Sequence, residues 1–153
     1  MTVRNICQRQ VDLAGESETA QVAAARMRAR NVGSLMVVDD ERRPIGILTD
    51  RDLALRVVAE GASPLELTVG DVMSREPFTI TETAPVEEAL GLMRAHGVRR
   101  LVVVGKHGAL VGVVSLDDVM GWLASEFRSV TGVLERSSPK SLRHDAAKAK
   151  SAR

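Results

Sequence analysis

Two short strings in this sequence of 153 residues combine residue types that could hold a phosphorylated ligand. They read GILTDRD at 46–52 and GVVSLDD at 112–118. In each string a hydroxyl, Thr49 or Ser115, precedes an aspartate, Asp52 or Asp118, by three positions. If a strand ends and a helix begins at the hydroxyl, the hydroxyl can cap the helix and the first-turn amides can receive an anion. The aspartate would face the same cleft, where a carboxylate can accept from both vicinal hydroxyls of a ribose.

Both strings recur because the chain is an internal tandem. At an ungapped offset of 66 residues, residues 2–52 match residues 68–118 at 14 of 51 positions, which is the signature of a repeat. We therefore expect a first repeat at 2–60, a linker at 61–67, a second repeat at 68–128 and a basic tail at 129–153. The tail is poor in apolar residues, and its composition predicts disorder.

Each repeat has the pattern of β-α-β-β-α elements. Apolar residues at helical spacing predict helices at about 19–30 and 85–96, and closing helices at about 50–60 and 116–127. Aliphatic runs separated by polar turns predict strands at 35–38, 45–48, 101–104 and 111–114, with a brief opening strand that is clearest at 78–80. A unit of about 50 residues has little interior of its own. The fold class is therefore α/β (α+β type), with the two sheets packed together around a pseudo-twofold axis.

With these strings in place, the sequence resembles paired CBS domains, the Bateman module, over about residues 2–128. The resemblance rests on G-h-h-[ST]-x-x-D closing each repeat, on the h-x-x-L-x-V-V strands, and on the string HGVRRLVVV at 96–104. Members bind adenine nucleotides or related adenosyl compounds in two clefts, pair into a disc-like dimer and act as sensors for a partner. The resemblance thus implies AMP, ADP, ATP or S-adenosylmethionine as ligand, with the adenine between short aliphatic strand residues.

Eight residues are candidates for ligand binding: Thr49, Arg51, Asp52, His96, Arg99, Arg100, Ser115 and Asp118. By resemblance, the two aspartates would hold ribose hydroxyls and the two hydroxyl residues would face the phosphate side. Either arginine of the second repeat would meet a phosphate, with the histidine near the phosphate path. The alternative for the two strings is a plain helix start, at which aspartate favours the helix dipole.

The two pockets are expected to differ. Register places Gly33 and Ser34 opposite Arg99 and Arg100, so the first repeat lacks that cationic pair, although it has Arg51 in its own turn. Because arginine suits bidentate phosphate contact, the second pocket is favoured for a phosphorylated ligand. The alternative is that the arginine pair is solvated at the strand edge.

Composition excludes several classes of protein. Only three residues are aromatic, which argues against stacking of splayed bases. The single cysteine excludes a disulfide framework and a multi-cysteine zinc site, and the scattered histidines indicate no metal cluster. No apolar run reaches the roughly 20 residues of a membrane helix, and the start lacks a signal-peptide pattern, so a cytoplasmic location is expected.

The sequence therefore favours a non-enzymatic regulatory module that binds an adenine nucleotide, because no nucleophile–base pair or Walker-type loop accompanies the clefts. It is expected to be a homodimer that regulates another, unidentified protein. One alternative is a ligand-free interaction dimer. Another is nucleic-acid contact through the basic tail, which carries +5 over residues 136–153 while residues 1–135 carry −4. The acidic body argues against it, because a nucleic-acid face needs clustered positive charge.

Overall fold

The computed structural model describes residues 1–137, which contain two three-stranded sheets. The helices are a 3-10 turn at Val3–Asn5, α1 at Ala20–Arg30, α2 at Asp50–Leu53 with a π-helical continuation at Ala54–Val58, α3 at Val69–Val72, α4 at Val86–His96, a 3-10 turn at Lys106–Gly108 and α5 at Leu116–Ser137. The strands are β1 at Ser34–Val38, β2 at Pro44–Thr49, β3 at Ser74–Arg75, β4 at Thr79–Thr81, β5 at Arg100–Val104 and β6 at Leu110–Ser115. Met1–Leu116 form one compact unit, and the residues from Asp117 onward belong to another.

The mixed helix and strand architecture of the sequence analysis is confirmed, with one difference in the first repeat. β4 pairs in parallel with β5, as the opening strand of the second repeat should. In the first repeat the equivalent residues form only an isolated parallel bridge between Leu13 and Met36. The chain turns directly after this bridge, with the Gly15 amide donating to the Glu18 carboxylate at 2.7 Å.

The segments that open the two repeats cross to the opposite repeat. The Val3 amide donates to the Ala84 carbonyl at 2.9 Å, and the equivalent Val69 amide donates to the Glu18 carbonyl at 2.8 Å. β3, which belongs to the second repeat by sequence, pairs with β2 of the first repeat. In the same way Gln8 forms a bridge with Val113 of β6. The exchange gives the compact unit its pseudo-twofold symmetry.

Aliphatic residues fill the interior, as the scarcity of aromatic residues predicts. The buried side chains of the first sheet include Leu35, Val37 and Leu48, and those of the second include Leu101 and Val103. The opening segments lie close against both sheets at Gly46 and Gly112, which are both buried. A side chain at Gly112 would collide with the Gln8 backbone, and one at Gly46 would collide with the Met73 side chain. Glycine at these positions is therefore required by close approach of another segment.

The C-terminal helix is longer than the sequence analysis predicts. α5 continues to Ser137, so residues 129–137, assigned above to a disordered tail, are helical. The helix continues because apolar residues recur at helical spacing as far as Leu134. The rest of the predicted tail, 138–153, lies outside the described residues. Among residues 1–137, no helix is long and apolar enough to cross a membrane.

Candidate functional site

A cavity of about 560 Å³ brings together residues from both repeats within the compact unit Met1–Leu116. The first repeat contributes the end of β2 and the start of α2, including Thr49 and Arg51. The second contributes the segment 74–78, the residues 98–102 and Val113. The volume falls in the range of about 300–1,000 Å³ that is typical of small-molecule sites.

The structure brings four of the eight candidate residues to this cavity: Thr49, Arg51, Arg99 and Arg100. The sequence analysis assigned the arginine pair to a pocket of the second repeat and expected the first repeat to lack it. Instead the pair lies at the same cavity as the hydroxyl string of the first repeat. The reason is that the two repeats face each other, so the residues just before β5 stand opposite the start of α2.

Cations outnumber carboxylates around the cavity, which is lined by four arginines, Arg51, Arg75, Arg99 and Arg100, and by two acids, Asp50 and Glu76. Arg75 already donates to Glu16 at 2.7 Å. Within residues 1–137, the guanidinium groups of Arg51 and Arg100 have no carboxylate within 4.0 Å. These two exposed side chains are therefore available to an anion.

Apolar side chains form the rest of the lining: Ile47, Pro77, Phe78, Val98, Leu101, Val102 and Val113. Phe78 stacks on His96, with ring centroids 4.0 Å apart and planes at 18°. Sequence reasoning missed Phe78 as a site residue and considered His96 only for its place near the phosphate path. No sequence pattern identifies Phe78, because its contact with His96 joins two segments that only the fold brings together. The lining thus combines arginines, here called the cationic edge, with these apolar side chains, here called the apolar wall.

Thr49 and Asp52 form a reciprocal cap at the start of α2. The Thr49 amide and hydroxyl donate to the Asp52 carboxylate at 2.9 and 2.8 Å, and the Asp52 amide donates back to the Thr49 hydroxyl at 3.1 Å. Such a capping box satisfies amides that a helix start leaves without partners. Asp52 is not among the cavity residues, and its carboxylate already performs the structural role that the sequence analysis left open as the alternative.

Arg56 connects this cap to the wall of the cavity. Its guanidinium lies 3.6 Å from the Asp52 carboxylate. It also donates to the carbonyls of Val72 and Met73 at 2.7 and 2.8 Å and to the Ser74 hydroxyl at 3.2 Å. Ser74 is itself a lining residue. Arg56 therefore connects the cap of α2 to residues 72–74, the last of which lines the cavity.

Ser115 and Asp118, the remaining candidates at a helix start, lie at the positions equivalent to Thr49 and Asp52. Ser115 ends β6 and pairs with Arg100 across the sheet. The Leu116 amide donates to the Arg99 carbonyl at 2.9 Å, so the backbone of the arginine pair is tied to the end of β6. Asp118 is half-buried in the first turn of α5 and has an interaction partner of its own.

Comparison with known proteins identifies the family. The family model for the CBS domain matches residues 3–59 and again residues 69–125. An uncharacterized protein of Methanopyrus kandleri is 38% identical over 120 residues, 78% of this chain, which spans 61% of the length of that protein. Hypoxic response protein 1 of Mycobacterium tuberculosis is 36% identical over 118 residues, covering 77% of this chain and 82% of that protein.

A solved structure supports the same conclusion. The CBS domain protein of Pyrobaculum aerophilum in complex with AMP has 32% identity and a TM-score of 0.68, over 77% of this chain and 89% of that one. The chain therefore belongs to the CBS-domain family and carries two CBS domains in tandem.

Proposed function

We propose that this chain is a non-catalytic regulatory module that binds an adenine nucleotide in the cavity between its two CBS domains. The observation that carries the proposal is the cationic edge, in which Arg51, Arg99 and Arg100 surround one cavity with an apolar wall. Guanidinium groups suit phosphate oxygens, and the apolar wall offers van der Waals contacts to a base. The P. aerophilum relative, solved with AMP, supports this ligand class.

Charge favours a phosphorylated ligand over S-adenosylmethionine. Four arginines against two acids leave the lining net positive, whereas residues 1–135 as a whole carry −4. A sulfonium cation would be repelled by this edge, and a phosphate would be attracted to it. AMP, ADP and ATP are therefore the ligands proposed, and each added phosphate should increase the contribution of the arginines.

The regulatory part of the proposal requires a partner protein and the homodimer expected from the sequence. After α2, the side chain of Val58 is 77% exposed and that of Leu55 is 51% exposed, which leaves an apolar face for another subunit. Val57, which lies between them, is buried. The proposed dimer surface on the first CBS domain is therefore centred on Leu55 and Val58.

Calorimetric titration with AMP, ATP and adenosine tests the ligand. We expect Arg100→Ala to weaken AMP and ATP by about 10- to 100-fold, since a charge-assisted hydrogen bond contributes about 1.5–3 kcal/mol. Adenosine, which has no phosphate, should bind this variant and the parent protein alike. Arg28→Ala is the control, because Arg28 is an exposed arginine on α1 that is not part of the cavity.

Two further variants test the ribose contacts that the resemblance implies. If Asp118 accepts from the ribose, Asp118→Ala weakens all three ligands, adenosine included. We expect Asp52→Ala to leave adenosine binding nearly unchanged, because the Asp52 carboxylate accepts from Thr49 in the cap of α2 and does not line the cavity. If the folded parent protein binds none of the nucleotides at millimolar concentration, the proposal is wrong and the ligand-free interaction module replaces it.

A further inference from the structure

The imidazole of His96, the last residue of α4, contacts the apolar wall of the cavity from outside the cavity. It stacks on the Phe78 ring, with the ring centroids 4.0 Å apart and the planes at 18°. Phe78 lines the cavity, whereas His96 is not among the lining residues. A titratable ring is therefore placed one side chain away from the space that the proposed ligand occupies.

The backbone at the end of α4 fixes the position of this imidazole. Gly97 follows in the left-handed region at φ 64°, which glycine adopts without strain. The amides of Gly97 and Val98 both donate to the Met93 carbonyl, the second at 3.0 Å. The chain then continues directly into Arg99 and Arg100, which line the cavity. One short segment thus carries the stacked imidazole and two guanidinium groups of the cationic edge.

We infer that His96 makes the affinity of the cavity for a phosphorylated ligand depend on pH, with tighter binding when the imidazole is protonated. The inference rests on the proposed function, because it concerns the ligand of the same cavity. Histidine is the side chain whose charge ordinarily changes between about pH 5 and pH 8. A proton on the imidazole adds a positive charge beside Phe78, and a phosphate is attracted to that charge.

The groups around the stack leave this charge without an ion-pair partner. Among residues 1–137, no carboxylate lies within 4.0 Å of the His96 imidazole. Arginines outnumber acids on the cavity lining and on the last turn of α4, where the charged residues are Arg51, Arg75, Arg94, Arg99, Arg100, Asp50 and Glu76. Protonation of His96 therefore adds to an excess of positive charge and does not neutralise an acid.

Distance keeps the expected effect modest. A ligand group that contacts Phe78 lies about 8 Å from the imidazole, because the two stacked rings are already 4.0 Å apart. At this separation one unit charge changes the affinity for an anion by about 3- to 10-fold in a partly solvated site, and salt screens the effect. The inference thus predicts a graded pH dependence and no abrupt transition.

Calorimetric titration of the full chain with AMP and adenosine between about pH 5.5 and pH 8 tests the inference, with His96→Phe as the main variant. Phenylalanine keeps a flat ring against Phe78 but cannot gain a proton. For AMP, we expect the Kd of this variant, divided by that of the parent protein, to rise about 3- to 10-fold from the highest pH to the lowest. For adenosine the same ratio should stay constant. The phosphate of AMP also titrates near pH 6, but this effect cancels because both proteins bind the same ligand.

His107→Asn is the matched control, because His107 is an exposed histidine in the turn before β6 that does not line the cavity. Its backbone is left-handed at φ 59°, a conformation that asparagine tolerates. This variant should bind AMP like the parent protein at every pH. Circular dichroism and a thermal melt establish that the variants are folded. If His96→Phe is not folded, His96→Asn repeats the titration, since it also removes the titrating group.

The inference is overturned if AMP binds and the ratio does not change with pH, and in that case the proposed function stands. It is also overturned if adenosine shows the same rise, because the imidazole would then act through the stack and not through its charge. A rise shared by His107→Asn has the same consequence. If no nucleotide binds the folded parent protein at any pH, the proposed function fails and this inference fails with it.

Discussion

The two CBS domains of this chain share a backbone and differ in the side chains at the cavity. Both central hairpins contain an irregularity at equivalent places, between Val37 and Val38 and between Val103 and Val104. In contrast, Arg99 and Arg100 stand where the first domain has Gly33 and Ser34. The aliphatic pattern therefore maintains the symmetric fold, while a few polar differences between the domains make the site asymmetric.

The two domains also differ at a residue that contacts the cavity lining from outside the cavity. In the first domain Asp52 is linked through Arg56 to backbone carbonyls of the second domain. At the position equivalent to Arg56, the second domain has Trp122. A guanidinium can satisfy several carbonyls at once, whereas an indole has a single donor. Arg56 therefore links the start of α2 to residues 72–74, and Trp122 cannot form the same set of hydrogen bonds in the second domain.

The largest expected difference in stability between the two domains concerns Gly46 and Gly112, where the opening segment of the opposite domain lies against each sheet. Gly112→Ala should lower the free energy of unfolding by about 3 kcal/mol, because its Cβ would meet the Gln8 backbone, which cannot move without breaking the bridge to Val113. Gly46→Ala should cost about 1 kcal/mol, because the obstructing group is the flexible Met73 side chain. Urea denaturation measures both. Equal losses would mean that the two crossings are packed alike.

An intermediate effect is expected for the network that only the first domain has. Arg56→Ala removes two hydrogen bonds to carbonyls and the contact with Asp52, and it should lower the free energy of unfolding by about 1–2 kcal/mol, since the side chain is half-exposed. The matched control is Arg28→Ala, which should change it by less than about 0.5 kcal/mol. Thermal melts compare the two variants. A neutral Arg56→Ala would show that the network does not hold α2 in place.

The smallest expected effect on stability concerns the short helical turns that begin at Thr2 and Thr68, and it is expected at low pH. The amide and hydroxyl of Thr68 donate to the Asp71 carboxylate at 2.8 and 2.7 Å, and these bonds lower the pKa of Asp71. The equivalent residue in the first domain, Asn5, accepts from Thr2 and does not titrate. A carboxyl with a lowered pKa in the folded state stabilises the protein above its ordinary value of 3.8, and this stabilisation is lost as the pH falls through the folded pKa.

Asp71→Asn should therefore make the melting temperature fall less steeply between about pH 5 and pH 2. Asn5→Asp should make the fall steeper by introducing a titrating group in the first domain. Melting curves over a pH series check both variants against the parent protein. Part of the slope should persist in Asp71→Asn, because hydrogen bonds from Arg43 also lower the pKa of Asp39. Parallel curves for all three proteins would contradict the assignment of this cap.

The secondary-structure elements and the repeat follow from the amino-acid sequence. Periodic apolar residues located α1, α4 and the four long strands, since local hydrogen bonding and burial follow the same pattern along the chain. The hydroxyl and aspartate strings identified the helix starts at Thr49 and Ser115, because a cap depends on residues only three positions apart. The offset of 66 residues indicated pseudo-symmetry before any contact was known.

The set of residues that line the cavity depends on the packing of the two domains and is not encoded in any local pattern. Arg99 and Arg100 meet Thr49 and Arg51 because the opening segments cross between the domains. No local pattern encodes that crossing, since its stability comes from contacts between residues that are distant in the sequence, such as the amide of Val3 and the carbonyl of Ala84. For the same reason Phe78 became a site residue only through its stacking on His96. Local periodicity specifies the elements, but the packing of distant segments specifies the site.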